Sequence, residues 1–249
     1  MIYRGFEETT KIMSGRTPTG IKGFDELIEE GFPTESLILI AGEPGAGKTT
    51  FAAQFLYEGA TKLGEKGIYV CFAETKKSLT RSMLRFGWDF ERLEIEKRCK
   101  ILDLSTAKEA GIQNNLDIIL QEVTNLKAKR LVIDSFTAMS MALSEDIDIR
   151  YLVHLLYKFL QKIGCTTLLI ADTPWSSKKI GSGIEEFIAD AIILMHTYVD
   201  KSGELNRKIR ILKMRSTNHS MKTHEYEITA DGVNVLPTIR KEHEKNAKD

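Results

Sequence analysis

The sequence Gly42-Glu43-Pro44-Gly45-Ala46-Gly47-Lys48-Thr49 lies between two apolar segments of different character. Before it, residues 37–41 form a continuous apolar run, which is typical of a buried strand. After it, the apolar residues of positions 51–57 recur with helical spacing. Strand, glycine-rich turn and helix together form the context that a Walker A motif requires. The segment therefore predicts a phosphate-binding loop at the end of a strand.

Each part of this loop has a chemical reason to bind a nucleotide. Glycines let the backbone curl so that successive N–H groups point at the phosphates, and the helix start adds partial positive charge. We expect Lys48 to reach the β- and γ-phosphates of ATP and the Thr49 hydroxyl to bind Mg²⁺. The other predicted ATP-binding residues of the loop are Glu43, Pro44, Gly45, Ala46, Gly47 and Thr50. The alternative is a glycine-rich turn that binds nothing.

Composition restricts the class of protein. The 249 residues include 35 Lys plus Arg and 35 Asp plus Glu, so no net charge attracts nucleic acid or a membrane surface. The length suits one large α/β domain. The sequence shows no membrane span and no signal-peptide pattern. Its three cysteines are widely spaced, and those at Cys71 and Cys165 are expected to be buried thiols. These features predict a cytoplasmic protein.

Predicted strands and helices alternate up to about residue 190. Such alternation requires a mostly parallel central sheet with helices on both faces. The predicted strands cover 37–41, 67–72, 100–104, 129–135, 166–171 and 189–195, and the predicted helices cover 21–30, 49–64, 78–86, 115–126 and 149–163. Beyond residue 195, a hairpin signal at 200–204 and a turn at Asp231-Gly232 predict antiparallel strands that complete the sheet.

Carboxylates follow two of the predicted parallel strands. Ligands of such sheets bind at the carboxyl ends of the strands, where we expect every chemically suggestive residue to lie. Asp134 ends the run Leu131-Val132-Ile133 and would bind the hydration shell of Mg²⁺ as a Walker B residue. Glu74 follows the strand at 67–72 and would orient or deprotonate the attacking water. The alternatives are a strand-end cap for Asp134 and a solvated surface residue for Glu74.

Two cations near the C-terminus form a further candidate site. Lys213 and Arg215 are two residues apart on a predicted strand, so both side chains should project from one face. Such a pair on a neutral protein suggests an anionic partner, although ordinary surface charge explains it equally well. Thr217 and His219 follow and could donate hydrogen bonds to a nucleotide.

With these motifs in place, the chain resembles the single-domain, archaeal type of KaiC-like ATPase, within the RecA superfamily. The matching segments run in the family's order over roughly residues 16–236, preceded by an extension over 1–15 and followed by a charged tail over 237–249. They are residues 20–27, 31–33, the Walker A loop with 54–57, 86–89, 131–135, 183–190, 212–219 and 228–232. The segment from Lys213 to His219 is more specific than the Walker A loop.

The resemblance implies a RecA-like P-loop fold and a homohexameric ring with Mg·ATP between subunits. Lys213 and Arg215 would then reach the γ-phosphate that a neighbouring subunit holds. Met214, Thr217 and His219 match positions that line the nucleotide from that side. A cation supplied by a neighbour makes the charge-stabilising step depend on assembly.

The sequence departs from the family at two places. Relatives have two adjacent carboxylates after the second strand, whereas this chain has Ala73 before Glu74, which predicts slow hydrolysis. The autokinase domain of the clock protein has adjacent Ser and Thr where this chain has Glu186 and Phe187, which excludes self-phosphorylation there.

Three functions are consistent with these features. The favoured one is a ring-forming ATPase with slow turnover that serves as a switch or scaffold in a regulatory process. The second is a nucleotide-dependent protein that binds single-stranded DNA, like recombinase paralogues, for which residues 175–183 are the candidate loop. The third is an ATP-binding regulatory subunit with negligible turnover, which Ala73 would permit.

Overall fold

A computed structural model describes residues 15–105, 112–140, 146–175 and 188–237. Several predictions lie outside these ranges: the extension over 1–15 except Gly15, the tail over 237–249 except Pro237, residues 176–183 of the candidate DNA loop, and Glu186 with Phe187. Within the described ranges, no helix is long and apolar enough to cross a membrane.

Strands and helices alternate along the described chain. The strands are β1 (Arg16–Thr17), β2 (Phe32–Pro33), β3 (Leu37–Gly42), β4 (Gly67–Cys71), β5 (Cys99–Asp103), β6 (Arg130–Asp134), β7 (Thr166–Asp172), β8 (Ala191–Val199), β9 (Leu205–Met214), β10 (Thr223–Thr229) and β11 (Gly232–Val235). The α-helices are α1 (Lys48–Lys62), α2 (Lys76–Met83), α3 (Phe90–Ile95), α4 (Ile112–Leu126), α5 (Phe136–Ser140) and α6 (Asp146–Ile163).

The described strands β3 to β11 form one sheet in the order β11-β10-β9-β8-β3-β7-β6-β4-β5. The strands from β8 to β5 in this order pair in parallel, and β9, β10 and β11 add antiparallel pairs at the other end. A separate antiparallel pair joins β1 and β2. The prediction of a mostly parallel sheet with an antiparallel C-terminal extension is confirmed.

The sheet is covered on both faces, which explains the continuous apolar runs. Along β3, Ile38 and Ile40 enter a core with residues of α1, α2 and α3, whereas Leu37, Leu39 and Ala41 enter a second core with residues of α4, α5 and α6. Because side chains of a strand alternate between faces, a strand buried on both sides must be apolar throughout. The motif therefore starts from a strand that is buried on both faces.

Three local predictions need correction. The predicted helix over 21–30 is only a 3₁₀ turn at Asp25–Ile28, because Glu29 and Glu30 adopt left-handed backbone angles that end it. The helix α3 was not predicted, although the Asp89 side chain accepts from the N–H of Arg92 at 2.9 Å and caps its start. Arg215 lies in a turn just after β9 rather than on the strand.

Candidate functional site

The phosphate loop joins β3 to α1 through two left-handed glycines. The φ angles of Gly45 and Gly47 are 84° and 87°, which side chains with a Cβ adopt only with strain. A Cβ on Gly47 would also lie 2.4 Å from Cδ1 of Ile228, whereas among the described residues no atom outside Gly45 and its two neighbours lies within 4 Å of the corresponding point on Gly45. The outer side of the loop at Pro44 and Gly45 is exposed. The loop is therefore packed on one side and open on the other.

Helix α1 begins without a side-chain cap. Gly47 is its N-cap residue, and the first bond of the helix runs from the Phe51 N–H to the Gly47 carbonyl at 2.9 Å. The N–H groups of Lys48, Thr49 and Thr50 precede that bond and point along the helix axis towards the loop. Together with the helix dipole they form a setting suited to a phosphate group.

Lys48 is held over the loop by three oxygen atoms. Its Nζ donates to the carbonyls of Gly42 at 2.8 Å and Glu43 at 3.0 Å, and it lies 3.2 Å from Oδ1 of Asp172. The Lys48 side chain is only 7% exposed. A buried ammonium without such partners would be strongly unfavourable. The loop thus directs one positive charge to the place where the motif predicts phosphate.

The predicted magnesium ligands Thr49 and Asp134 are in direct contact. Oγ1 of Thr49 donates to Oδ2 of Asp134 at 2.7 Å, and the Tyr69 hydroxyl donates to the same oxygen at 2.6 Å. Burial raises the pKa of Asp134, while these two hydrogen bonds oppose the increase. Burial, with the neighbouring Asp134 charge, also raises the pKa of Tyr69, so this hydroxyl keeps its proton.

A magnesium ion fits this donor set. Mg²⁺ prefers hard oxygen ligands and usually takes one or two from the protein, with water and substrate phosphates supplying the rest. The Thr49 hydroxyl and the Asp134 carboxylate are such ligands, and they lie beside the loop that would hold the phosphates. No group of three or more His, Cys, Asp or Glu residues that could hold a metal by itself occurs in the described ranges.

Glu74 lies three residues after the end of β4. This strand pairs with β6, which ends in Asp134. Glu74 is partly buried, and this burial raises the pKa of its carboxyl group. A hydrogen bond with Ser78 lowers that pKa, and the charge of Asp134 raises it further. The two carboxylates therefore lie within each other's electrostatic field. Ala73 is exposed at the same strand end.

The antiparallel extension supports the back of the loop. Nδ1 of His196 lies 2.8 Å from Oε1 of Glu43, and Nε of Arg207 donates to the Gly45 carbonyl at 3.3 Å. The Tyr226 hydroxyl donates to the Ala46 carbonyl. These contacts link positions that are 150 or more residues apart. None of the three contacts is indicated by a local pattern in the sequence.

Lys213 and Arg215 lie at the opposite edge of the sheet, which corrects the expectation that all candidates share one edge. Strand β9 is antiparallel to β8, so its carboxyl end meets the start of β8. There Nζ of Lys213 donates to the Ala189 carbonyl at 2.7 Å, and Nη1 of Arg215 lies 3.2 Å from Oδ1 of Asp190. The Asp190 N–H in turn donates to the carbonyl of Leu37, at the start of β3.

Five residues of β3 separate this edge from Gly42, which corresponds to about 16 Å at about 3.3 Å per residue. Arg215 is therefore too far from the phosphate loop of its own chain to contact the same nucleotide.

The remaining predicted residues of this edge have different environments. Met214 is buried in the core of its own chain. Oγ1 of Thr217 lies 2.7 Å from Nη1 of Arg16 and 3.2 Å from the Arg215 carbonyl, and Nδ1 of His219 lies 3.1 Å from the Ser220 carbonyl. Arg16 also forms an ion pair with Glu29. The side chain of Arg215, in contrast to buried Met214, is half-exposed, at 53%.

Comparisons with known proteins show which family the chain resembles. A family model described as the KaiC ATPase matches residues 17–240. A UPF0273 protein of Thermotoga maritima is 34% identical, over 91% of this chain and 98% of its own. The circadian clock oscillator protein KaiC of Acaryochloris marina is 32% identical over 92% of this chain, which spans 44% of that protein. A crystal structure of a KaiC-like protein from Pyrococcus horikoshii matches with a TM-score of 0.81 and 43% identity, over 89% of this chain and 99% of that one.

Proposed function

The chain belongs to the KaiC family of ATPases, and we propose that it binds Mg·ATP and hydrolyses it slowly at the subunit boundaries of a homohexameric ring. The observation that carries this proposal is the convergence of Lys48, Thr49 and Asp134 at the carboxyl ends of the parallel strands β3 and β6, which lie on either side of β7. A cytoplasmic location and a role as a switch or scaffold in a regulatory process belong to the same proposal.

In the proposed site, the loop N–H groups and Lys48 bind the β- and γ-phosphates, and Thr49 with Asp134 holds Mg²⁺. The metal would neutralise charge on the phosphate oxygens. Glu74 accepts the proton of the attacking water, for which a carboxyl pKa raised by burial is suitable. Because Ala73 leaves this carboxylate without its usual neighbour, proton acceptance depends on a single group and turnover is slow.

The position of Lys213 and Arg215 supports a site shared between subunits. Arg215 is about 16 Å along the sheet from its own phosphate loop and is half-exposed beside Asp190. A cation at such a place acts on a phosphate only if another chain brings that phosphate to it. In the proposed ring, each subunit contributes its phosphate loop to one junction and its Lys213 and Arg215 to the next.

The test is to size the purified protein with and without Mg·ATP while assaying phosphate release. We expect a hexamer with Mg·ATP and slow release of phosphate. A monomer that binds ATP would contradict the shared site, and a ring without phosphate release would favour a regulatory subunit with negligible turnover. Salt-dependent binding of single-stranded DNA would favour the recombinase-like alternative.

A further inference from the structure

Asp172 is a charged residue of the site that no motif indicates. It ends β7, and it pairs in register with Gly42, the last residue of β3. Its Oδ1 lies 3.2 Å from Nζ of Lys48, and the Asp172 side chain is 47% exposed whereas that of Lys48 is 7% exposed. The ion pair thus consists of a buried ammonium and a half-exposed carboxylate.

The backbone around Asp172 is fixed on both sides. Its N–H donates to Oγ1 of Thr137 at 2.9 Å, and the N–H of Thr173 donates to the Gly42 carbonyl at 3.0 Å. These bonds tie the end of β7 to α5 and to the start of the phosphate loop. The backbone that carries the Asp172 carboxylate is therefore held by hydrogen bonds on both sides.

Asp172 differs in charge from the other partners of Lys48. The carbonyls of Gly42 and Glu43 are neutral acceptors, whereas Asp172 is an anion. Its charge is also among the causes that raise the pKa of Asp134, so its field extends across the site. A phosphate that binds Lys48 must share this ammonium with Asp172 and lie near its negative charge.

We propose that Asp172 is a specificity-determining residue that competes with nucleotide phosphates for Lys48 and weakens ATP binding more than ADP binding. The difference arises because the γ-phosphate adds charge that ADP lacks, next to the same ammonium. This inference rests on the proposed function, since it assumes that the loop binds adenine nucleotides.

The first experiment measures the affinities of ATP and ADP at constant Mg²⁺ for wild type, Asp172→Asn and Asp117→Asn. Asn keeps the shape of the residue without its charge. For Asp172→Asn we expect ATP to bind about 2- to 5-fold more tightly, the range of a partly exposed charge pair, and ADP to gain less. Asp117 is an exposed residue of α4, and its variant controls for the loss of one charge.

Weaker or unchanged ATP binding in Asp172→Asn would overturn the proposal, and so would an equal gain for ATP and ADP. Failure of the wild type to bind either nucleotide would instead refute the proposed function.

A second measurement tests the ion pair without any nucleotide. It compares the thermal unfolding of Lys48→Met, Asp172→Asn and the double variant. Because Lys48 is buried, Asp172→Asn alone should lower the unfolding midpoint, and the double variant should lose less than the sum of the single losses. Additive losses would show that the two side chains do not interact and would overturn the proposal.

Discussion

The two edges of the central sheet present positive charge in opposite ways. At the carboxyl edge of the parallel strands, Lys48 is buried and has three oxygen partners within its own chain. At the other edge, Arg215 is half-exposed and its ion pair is with Asp190. The first edge holds the groups that we propose bind phosphate, and the second presents a half-exposed cation. The contrast favours the proposed ring, in which each subunit contributes its phosphate loop to one subunit interface and its Arg215 to the next.

Lys48→Ala should give the largest effect on ATP binding, because it removes the buried ammonium of the phosphate loop itself. We expect ATP affinity to fall by about 100-fold or more, as for the loss of a charge-assisted contact to phosphate. Binding can be measured by calorimetry. Lys62→Ala, at an exposed position of the same helix, is the control and should bind ATP normally. Near-normal affinity in a folded Lys48→Ala protein would refute the assignment of the loop.

Arg215→Ala tests the second edge. The variant should bind ATP through its own loop but release phosphate more slowly, by up to about 10³-fold, since a cation supplied to the transition state contributes about that much or more in related enzymes. Phosphate release and ATP affinity are measured separately. Arg210→Ala, at an exposed position of β9, the strand before Arg215, is the matched control and should keep normal turnover.

Mixing Lys48→Ala with Arg215→Ala separates a shared site from an internal one. In a mixed ring, an intact loop of an Arg215→Ala subunit can lie beside the intact arginine of a Lys48→Ala subunit. Part of the activity should then return. If sizing or cross-linking confirms mixed rings and no activity returns, the two edges do not meet across a junction.

The sequence predicts the phosphate loop well, but it predicts the long-range contacts of the loop and the position of Arg215 poorly. The loop and α1 follow from a local pattern of eight residues with its flanks, because backbone angles and helix position depend on near neighbours. Asp172 and His196 were missed because their partners in the loop are more than 100 residues away and only the sheet order brings them together. The pairing of β8 with β9 has a register shift between Ile192 and Ile193, and Arg215 lies in the turn after β9; no sequence pattern indicates either feature.

Glu74→Gln should affect the carboxyl edge less than Lys48→Ala does. Gln keeps the size of the side chain but does not accept a proton, so turnover should fall by about 100-fold, at the lower end for general-base catalysis, with ATP affinity unchanged. Single-turnover phosphate release is the measurement. Ala73→Glu is the companion variant, and faster hydrolysis there would show that the missing carboxylate limits the rate. Unchanged turnover in Glu74→Gln would exclude this residue as the base.

The pH dependence gives an independent test of Glu74. Because burial raises the pKa of its carboxyl group, the group becomes protonated at a higher pH than an exposed Glu. As a base it works only when ionised, so wild-type turnover should decline as the pH falls through that raised pKa. A pH–rate profile of Glu74→Gln should lack this decline. An identical decline in both proteins would assign it to another group.

Tyr226→Phe should give the smallest effect and tests how the antiparallel extension supports the loop. The substitution removes only the hydroxyl that donates to the Ala46 carbonyl and leaves that buried acceptor without this partner. We expect a loss of about 1 kcal/mol in the free energy of unfolding and a decrease of a few fold in ATP affinity, because Ala46 is part of the phosphate loop. Denaturant unfolding and calorimetry measure the two quantities. Tyr198→Phe, whose exposed hydroxyl bonds Glu225 away from the loop, is the control and should change neither. A loss of stability with unchanged ATP affinity would show that the extension stabilises the fold without setting the shape of the loop.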